Sequence, residues 1–106
     1  MGQPTADVRH TDGSMKYTVL TTKRFDRAFA LCKRRNYPMQ RLLDVVNMLA
    51  ENGTLPRQYK PHKPKNIPGN NTWECHIQPD WLLVWEQNDM QLTLLMLDTG
   101  THSDIF

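Results

Sequence analysis

The spacing of hydrophobic positions changes several times along this chain, and each change marks an element. Tyr17 to Thr21 is a short β-branched run that reads as a first strand. From Lys23 the spacing becomes helical: Phe25, Ala28, Phe29 and Cys32 form one apolar stripe, with Lys23, Arg24, Arg27, Lys33, Arg34 and Arg35 on the wet face. Asn36-Tyr37-Pro38 ends that helix, and Pro38 suits the first turn of the next. Met39, Leu42, Leu43, Val46, Leu49 and Ala50 repeat the stripe until Asn52-Gly53 stops it.

Thr54 to Asn71 has no period and holds four prolines, so it reads as a long irregular loop. Strict alternation then returns in Trp73 to Ile77. It places Trp73, Cys75 and Ile77 on one face and Glu74 and His76 on the other, the signature of a half-buried strand. Gln78-Pro79 breaks this strand. Trp81 to Gln87 alternates little and is expected to be central and buried on both faces. Asn88-Asp89 suits a tight hairpin turn, Met90 to Leu97 a last strand, and Thr99 to Phe106 a compact tail that Gly100 lets turn sharply. Two helices followed by strands give an α+β domain, with an antiparallel helix pair laid on a sheet.

At 106 residues the chain has room for one core. Met1 to Ser14 lacks apolar periodicity and reads as a disordered leader or a cloning remnant, leaving 15–106 as the domain. No apolar run approaches the roughly 20 residues of a membrane span, and no secretory signal is visible. Cys32 and Cys75 are expected to be buried packing thiols of a reducing cytoplasm.

Charge is divided along the chain. All 13 Lys and Arg lie at or before Lys65 with five acidic residues, a balance of +8; the 41 residues after it carry six acidic residues and no Lys or Arg, a balance of −6. Part of the positive charge sits in the loop, where Arg57, Lys60, Lys63 and Lys65 surround His62 with no acid among them. A Pro-stiffened basic loop with a histidine suits a phosphate-facing surface. Glu74, His76 and Asp80 cluster at one strand end, and His102 returns toward it in the tail. Such groups trade protons near neutral pH. Two histidines and a carboxylate also suit zinc, although no Cys-x-x-Cys or His-x-x-x-His spacing supports it.

Three motifs in order, Tyr59-Lys60-Pro61-His62, Glu74-Cys75-His76-Ile77-Gln78-Pro79-Asp80-Trp81 and Thr99-Gly100-Thr101-His102-Ser103-Asp104-Ile105-Phe106, resemble the YafQ branch of the RelE/ParE toxin superfamily. The resemblance implies a β-α-α-β-β-β fold with two helices on a twisted, mainly antiparallel sheet. It implies the toxin of a bacterial type II toxin–antitoxin pair, a metal-independent endoribonuclease without cofactor that cuts mRNA in the ribosomal A site. Its partners would be a cognate antitoxin and, through that complex only, operator DNA; no membrane is involved.

By position, His62, His76, Asp80 and His102 match the family's active-site residues, Glu74 a usually acidic position and Phe106 the C-terminal aromatic. Asp80 or His62 is expected to act as base and His102 as acid, with His76 orienting the phosphate or sharing proton transfer. Trp81 is expected to pack and hold Asp80 in place. Phe106 would stack on a base or fold back onto the core. Many family members carry an arginine where this chain has Asp98. Either Asp98 points away, bonding backbone N–H groups of the following turn, or catalysis is weakened and the chain serves as an antitoxin-binding, autoregulatory module. In an active enzyme the missing charge is expected from Arg57, Lys60, Lys63, Lys65 or a protonated histidine.

Overall fold

The structure is a computed structural model that describes residues 15–65, 69 and 71–106. The expected leader, Met1 to Ser14, lies outside the described residues, as do positions 66–68 and 70 of the proline-containing loop. The elements are β1 (Thr18–Thr21), α1 (Lys23–Arg34), α2 (Met39–Asn52), a 3-10 turn (Arg57–Tyr59), β2 (Thr72–Gln78), β3 (Trp81–Asn88), β4 (Thr93–Gly100) and the short α3 (His102–Ile105). The expected β-α-α-β-β-β order holds, with one helical turn added at the end.

The helices start and stop where their sequence directs. Thr22 caps α1 by accepting the Phe25 N–H on its hydroxyl. Pro38 occupies the N-cap of α2, one position before its first turn. Gly53 ends α2 in the left-handed region at φ +71°, and a Cβ there would meet the Tyr17 ring within 3 Å.

The sheet order is β1-β4-β3-β2, with β1 parallel to β4 and the other two ladders antiparallel. The helices cover one face. Trp81, Leu83, Trp85, Cys75, Leu94 and Met96 meet Phe25, Cys32, Leu42, Val45 and Leu49 in that core. Each fully buried large side chain of this set contributes about 1.5–3 kcal/mol. Trp81 is 1% exposed; its indole N–H donates to Thr99 Oγ1 at 3.0 Å, and that hydroxyl donates to the Leu82 carbonyl at 2.8 Å. The buried Trp81 and Thr99 side-chain polar atoms are thereby satisfied. Leu82 and Val84 point to the other face, so β3 is buried on both sides as its sequence predicts.

Two expectations require correction. Asn88-Asp89 is not a tight hairpin turn. β3 continues through Asn88, whose Oδ1 accepts the N–H groups of Met90 and Gln91 at 3.0 and 2.9 Å. Those captured amides cannot join a ladder, so the connection extends through Leu92, at φ +54°, and β4 begins at Thr93 rather than Met90. The stretch after Gly53 is also more ordered than its composition suggests. Leu55 is buried in the core, Arg57–Tyr59 forms the 3-10 turn, and His62 exchanges two backbone hydrogen bonds with Glu74 at 2.9 and 2.8 Å. His62 thus extends the sheet by one residue beyond β2.

Candidate active site

The candidate residues gather on the sheet face that carries no long helix. Cross-strand pairing places His62 opposite Glu74, Glu74 opposite Val84, and Val84 opposite Asp98. Paired residues share a face, so these four form one row. An adjacent row runs His76, Leu82, Gly100. A bulge at Leu97 shifts the β3–β4 register and turns both Leu97 and Asp98 toward this face.

His62 Nε2 lies 2.9 Å from Glu74 Oε1, and its Nδ1 lies 2.7 Å from the Lys60 carbonyl. Both neighbours accept when Glu74 is ionised. A neutral ring satisfies one of them; the imidazolium, with an N–H on each nitrogen, satisfies both. Lys60 takes up a left-handed φ of +51°, which brings its carbonyl round to the ring. Glu74 is 5% exposed, and its Oε2 is buried without a hydrogen-bond partner among the described residues.

His76 is arranged differently. Its Nδ1 lies 3.2 Å from the Pro79 carbonyl, which can only accept, so the ring proton belongs on Nδ1. Nε2 has no partner among the described residues. The His62 and His76 rings lie 6.1 Å apart, 29° from parallel. The same turn carries Asp80, whose Oδ1 accepts the backbone N–H of His102 at 3.3 Å. Asp80 therefore pins the start of the tail, and the His102 ring packs 5.1 Å from Phe106. Glu74, His62 and His76 thus form one group of neighbours and Asp80, His102 and Phe106 a second, joined by the Pro79-Asp80 turn.

The tail is held by charges that carry no local sequence signal. Arg35 donates to Asp104 from Nη1 at 2.7 Å and from Nη2 at 3.4 Å. This holds the Asp104 carboxyl down at about 2, helped by the Thr101 N–H that it also accepts. Gly100, at φ +146°, makes the turn, and a Cβ there would stand 2.9 Å from the Asp104 carboxylate. Phe106 does not fold onto the core. It is 45% exposed and lines a cavity of about 440 Å³ with Val84, Leu97, Ile105, Arg24 and Asp98.

Asp98 does bond the following backbone, accepting the Thr99 N–H on Oδ1 at 2.9 Å. Its Oδ2 accepts from Arg24 Nε at 3.0 Å, a pairing the sequence does not announce. Among the four loop cations, Lys60 borders a second cavity of about 310 Å³, whose wall also includes His76, Arg41, Tyr59 and Gln78. Lys63 Nζ lies 5.4 Å from the centre of the Trp73 ring. The side chains of Arg57 and Lys65 form no hydrogen bond or ion pair among the described residues. Arg41 reaches the site from α2 although its position in that helix suggests only a solvated face.

Among the described residues no three His, Cys, Asp or Glu side chains converge as a ligand set, and His62 and Glu74 are committed to each other. Burial raises both thiols, Cys75 to about 12. No helix among the described residues is long and apolar enough to cross a membrane.

Known proteins share the sequence pattern and the fold of this chain. Residues 17–106 match the family described as "Bacterial toxin of type II toxin-antitoxin system, YafQ". The mRNA interferase toxin YafQ of Escherichia coli BL21-DE3 is 30% identical over 87 residues, covering 77% of this chain and 87% of the relative. YafQ in the crystal structure of the E. coli DinJ–YafQ toxin–antitoxin complex superposes with a TM-score of 0.79 at 25% identity, covering 87% of this chain and 99% of that one. A metal-bound toxin from Helicobacter pylori superposes with a TM-score of 0.77 at 32% identity, covering 85% and 99%. The chain belongs to the YafQ family of bacterial type II toxin–antitoxin toxins.

Proposed function

We propose that this toxin is a metal-independent endoribonuclease that cuts mRNA in the ribosomal A site and is neutralised by a cognate antitoxin. The observation that carries the reading is the pairing of the His62 and His76 rings beside Glu74, with the turn that follows His76 carrying the Asp80 that holds the His102–Phe106 tail. The names of its E. coli relatives, an mRNA interferase and an antitoxin-bound toxin, agree with it.

In such a cleavage the ribose 2′-OH attacks the adjacent phosphorus. A base takes its proton, and an acid returns one to the leaving 5′ oxygen, giving a 2′,3′-cyclic phosphate and a 5′-OH. His76 is the base best supported by geometry, because its Nδ1 proton is engaged and Nε2 offers a lone pair. His62, between two acceptors, is suited to offset phosphate charge rather than to take a proton. His102 acts as acid, and Asp80 positions it through the tail backbone. Phe106 offers its exposed ring to a base, a contact worth about 1–3 kcal/mol. Lys60 and Arg41, with Arg57, Lys63 and Lys65 farther along the loop, attract the RNA strand. Operator DNA is reached only through the antitoxin complex.

The test is induction of the chain in growing bacteria with mapping of 5′-OH ends. Wild type should cut within translated messages, and His76→Ala and His102→Ala should not; equal cutting by either variant would overturn its role. A second reading rests on Asp98, a carboxylate on the face that meets phosphate: a toxin homologue that binds antitoxin and tunes repression without cutting. Antitoxin binding with no cuts and no growth arrest would select it.

A further inference from the structure

The row across the open face has a symmetry that the catalytic reading does not use. Val84 stands at its centre, and each neighbouring position is a carboxylate with a basic side chain on its outer side: Glu74 with His62, and Asp98 with Arg24. One of these basic groups belongs to the candidate catalytic cluster. The other comes from the first turn of α1 and lies 74 residues from its partner in sequence.

The geometry points to Arg24 as a phosphate-binding residue of this site, held at the cavity mouth by Asp98 to take a phosphodiester of the bound RNA strand. The inference rests on the nuclease reading for its substrate and extends it to a residue outside the motifs. Asp98 engages Nε only, and neither Nη of Arg24 has a hydrogen-bond partner among the described residues. That leaves the guanidinium end free for two parallel bonds to phosphate oxygens. The Arg24 side chain is 65% exposed while that of Asp98 is 12% exposed, so the carboxylate is the fixed post and the guanidinium faces outward. Arg24 lines the same cavity as Phe106, Val84 and Leu97, which provides an apolar wall for a base beside the cation for its phosphate. Thr22, the N-cap of α1, lines it too, so the positive pole of that helix adds to the guanidinium. No lysine or arginine after Lys65 could supply this charge, since the chain has none beyond it.

The competing account is that Arg24 merely neutralises Asp98, and the experiment separates the two. Binding of a short 2′-O-methyl single-stranded RNA, which cannot be cleaved, is measured over a range of salt for wild type, Arg24→Lys, and Arg24→Gln combined with Asp98→Asn. The double variant removes both charges together, and thermal unfolding reports whether it stays folded. The expected result is weaker binding by the double variant for every RNA sequence, with the slope of log K against log salt reduced by about 0.7, the contribution of one phosphate contact on a single strand. Arg24→Lys should keep the slope. Wild-type affinity and slope in the double variant would overturn the inference, because charge neutralisation would then be the whole role. If wild type cuts no mRNA yet the double variant still loses the slope, the nuclease reading fails and the phosphate site stands.

Discussion

Glu74 binds His62 through one carboxylate oxygen, at 2.9 Å, and keeps the other buried without a partner among the described residues. The pairing fixes the imidazole at the edge of the sheet, where the His62 side chain remains 46% exposed. Replacing Glu74 by Gln keeps the shape and removes the charge. A charged hydrogen bond to His62 worth about 1.5–3 kcal/mol at the transition state sets the expected loss of cleavage at about tenfold to a hundredfold. Single-turnover cleavage on programmed ribosomes measures this; unchanged rates would show that His62 needs no carboxylate.

His76 and His102 should separate in their response to the leaving group. Loss of a general base or acid costs about 10²–10⁴ in rate. When the 5′ oxygen of the substrate is replaced by sulfur, the group leaves without protonation, so such a substrate should restore cleavage to His102→Ala and not to His76→Ala. The reverse pattern of rescue would exchange the two roles.

The tail has its own acid dependence. Arg35 lowers the Asp104 carboxyl to about 2 from the ordinary value of 3.8. A carboxyl lowered by folding stabilises the native state fully above its unfolded value and loses that contribution as pH falls through the folded value. Stability should therefore drop between about pH 4 and pH 2 through this pair. In Arg35→Ala most of that part of the drop should vanish, as followed by thermal unfolding across the range. An unaltered acid limb would mean that the tail is anchored by other contacts.

Burial pushes the Cys75 thiol to about 12 and raises Cys32 as well. At neutral pH neither forms appreciable thiolate, so a disulfide reagent should label the native protein slowly and the denatured protein at both cysteines. Rapid native labelling would place a thiol outside the core.

Gly53→Ala tests the joint between α2 and the sheet. The site has φ +71°, and the added methyl would meet the Tyr17 ring at 2.6–2.8 Å. Tyr17 donates its hydroxyl proton to Asp89 at 2.7 Å and cannot retreat without losing that bond. Destabilisation of more than about 1 kcal/mol is expected in denaturant titration.

The elements were legible because local patterns dictate them. Trp73 to Ile77 alternates and forms β2; the two apolar stripes form α1 and α2; Gly53 ends α2 as its identity suggests. The hairpin was not legible, because Asn88 has two uses: it tolerates a tight turn, and its side chain can also capture two amides and lengthen the connection. The motif residues were visible in the sequence, but their division of labour was not. Whether His62 or His76 keeps a free nitrogen depends on the carbonyls of Lys60 and Pro79, which no residue identity reveals. Arg24 and Arg35 look like any cations on a solvated helix. Their partners lie 74 and 69 residues away, and only the fold brings them together.

Phe106 forms part of the cavity wall. Any polypeptide continued beyond it, such as a purification tag, would leave from the mouth of the cleft and compete with RNA for entry. The position of a tag alone can therefore make the same protein look active or inert.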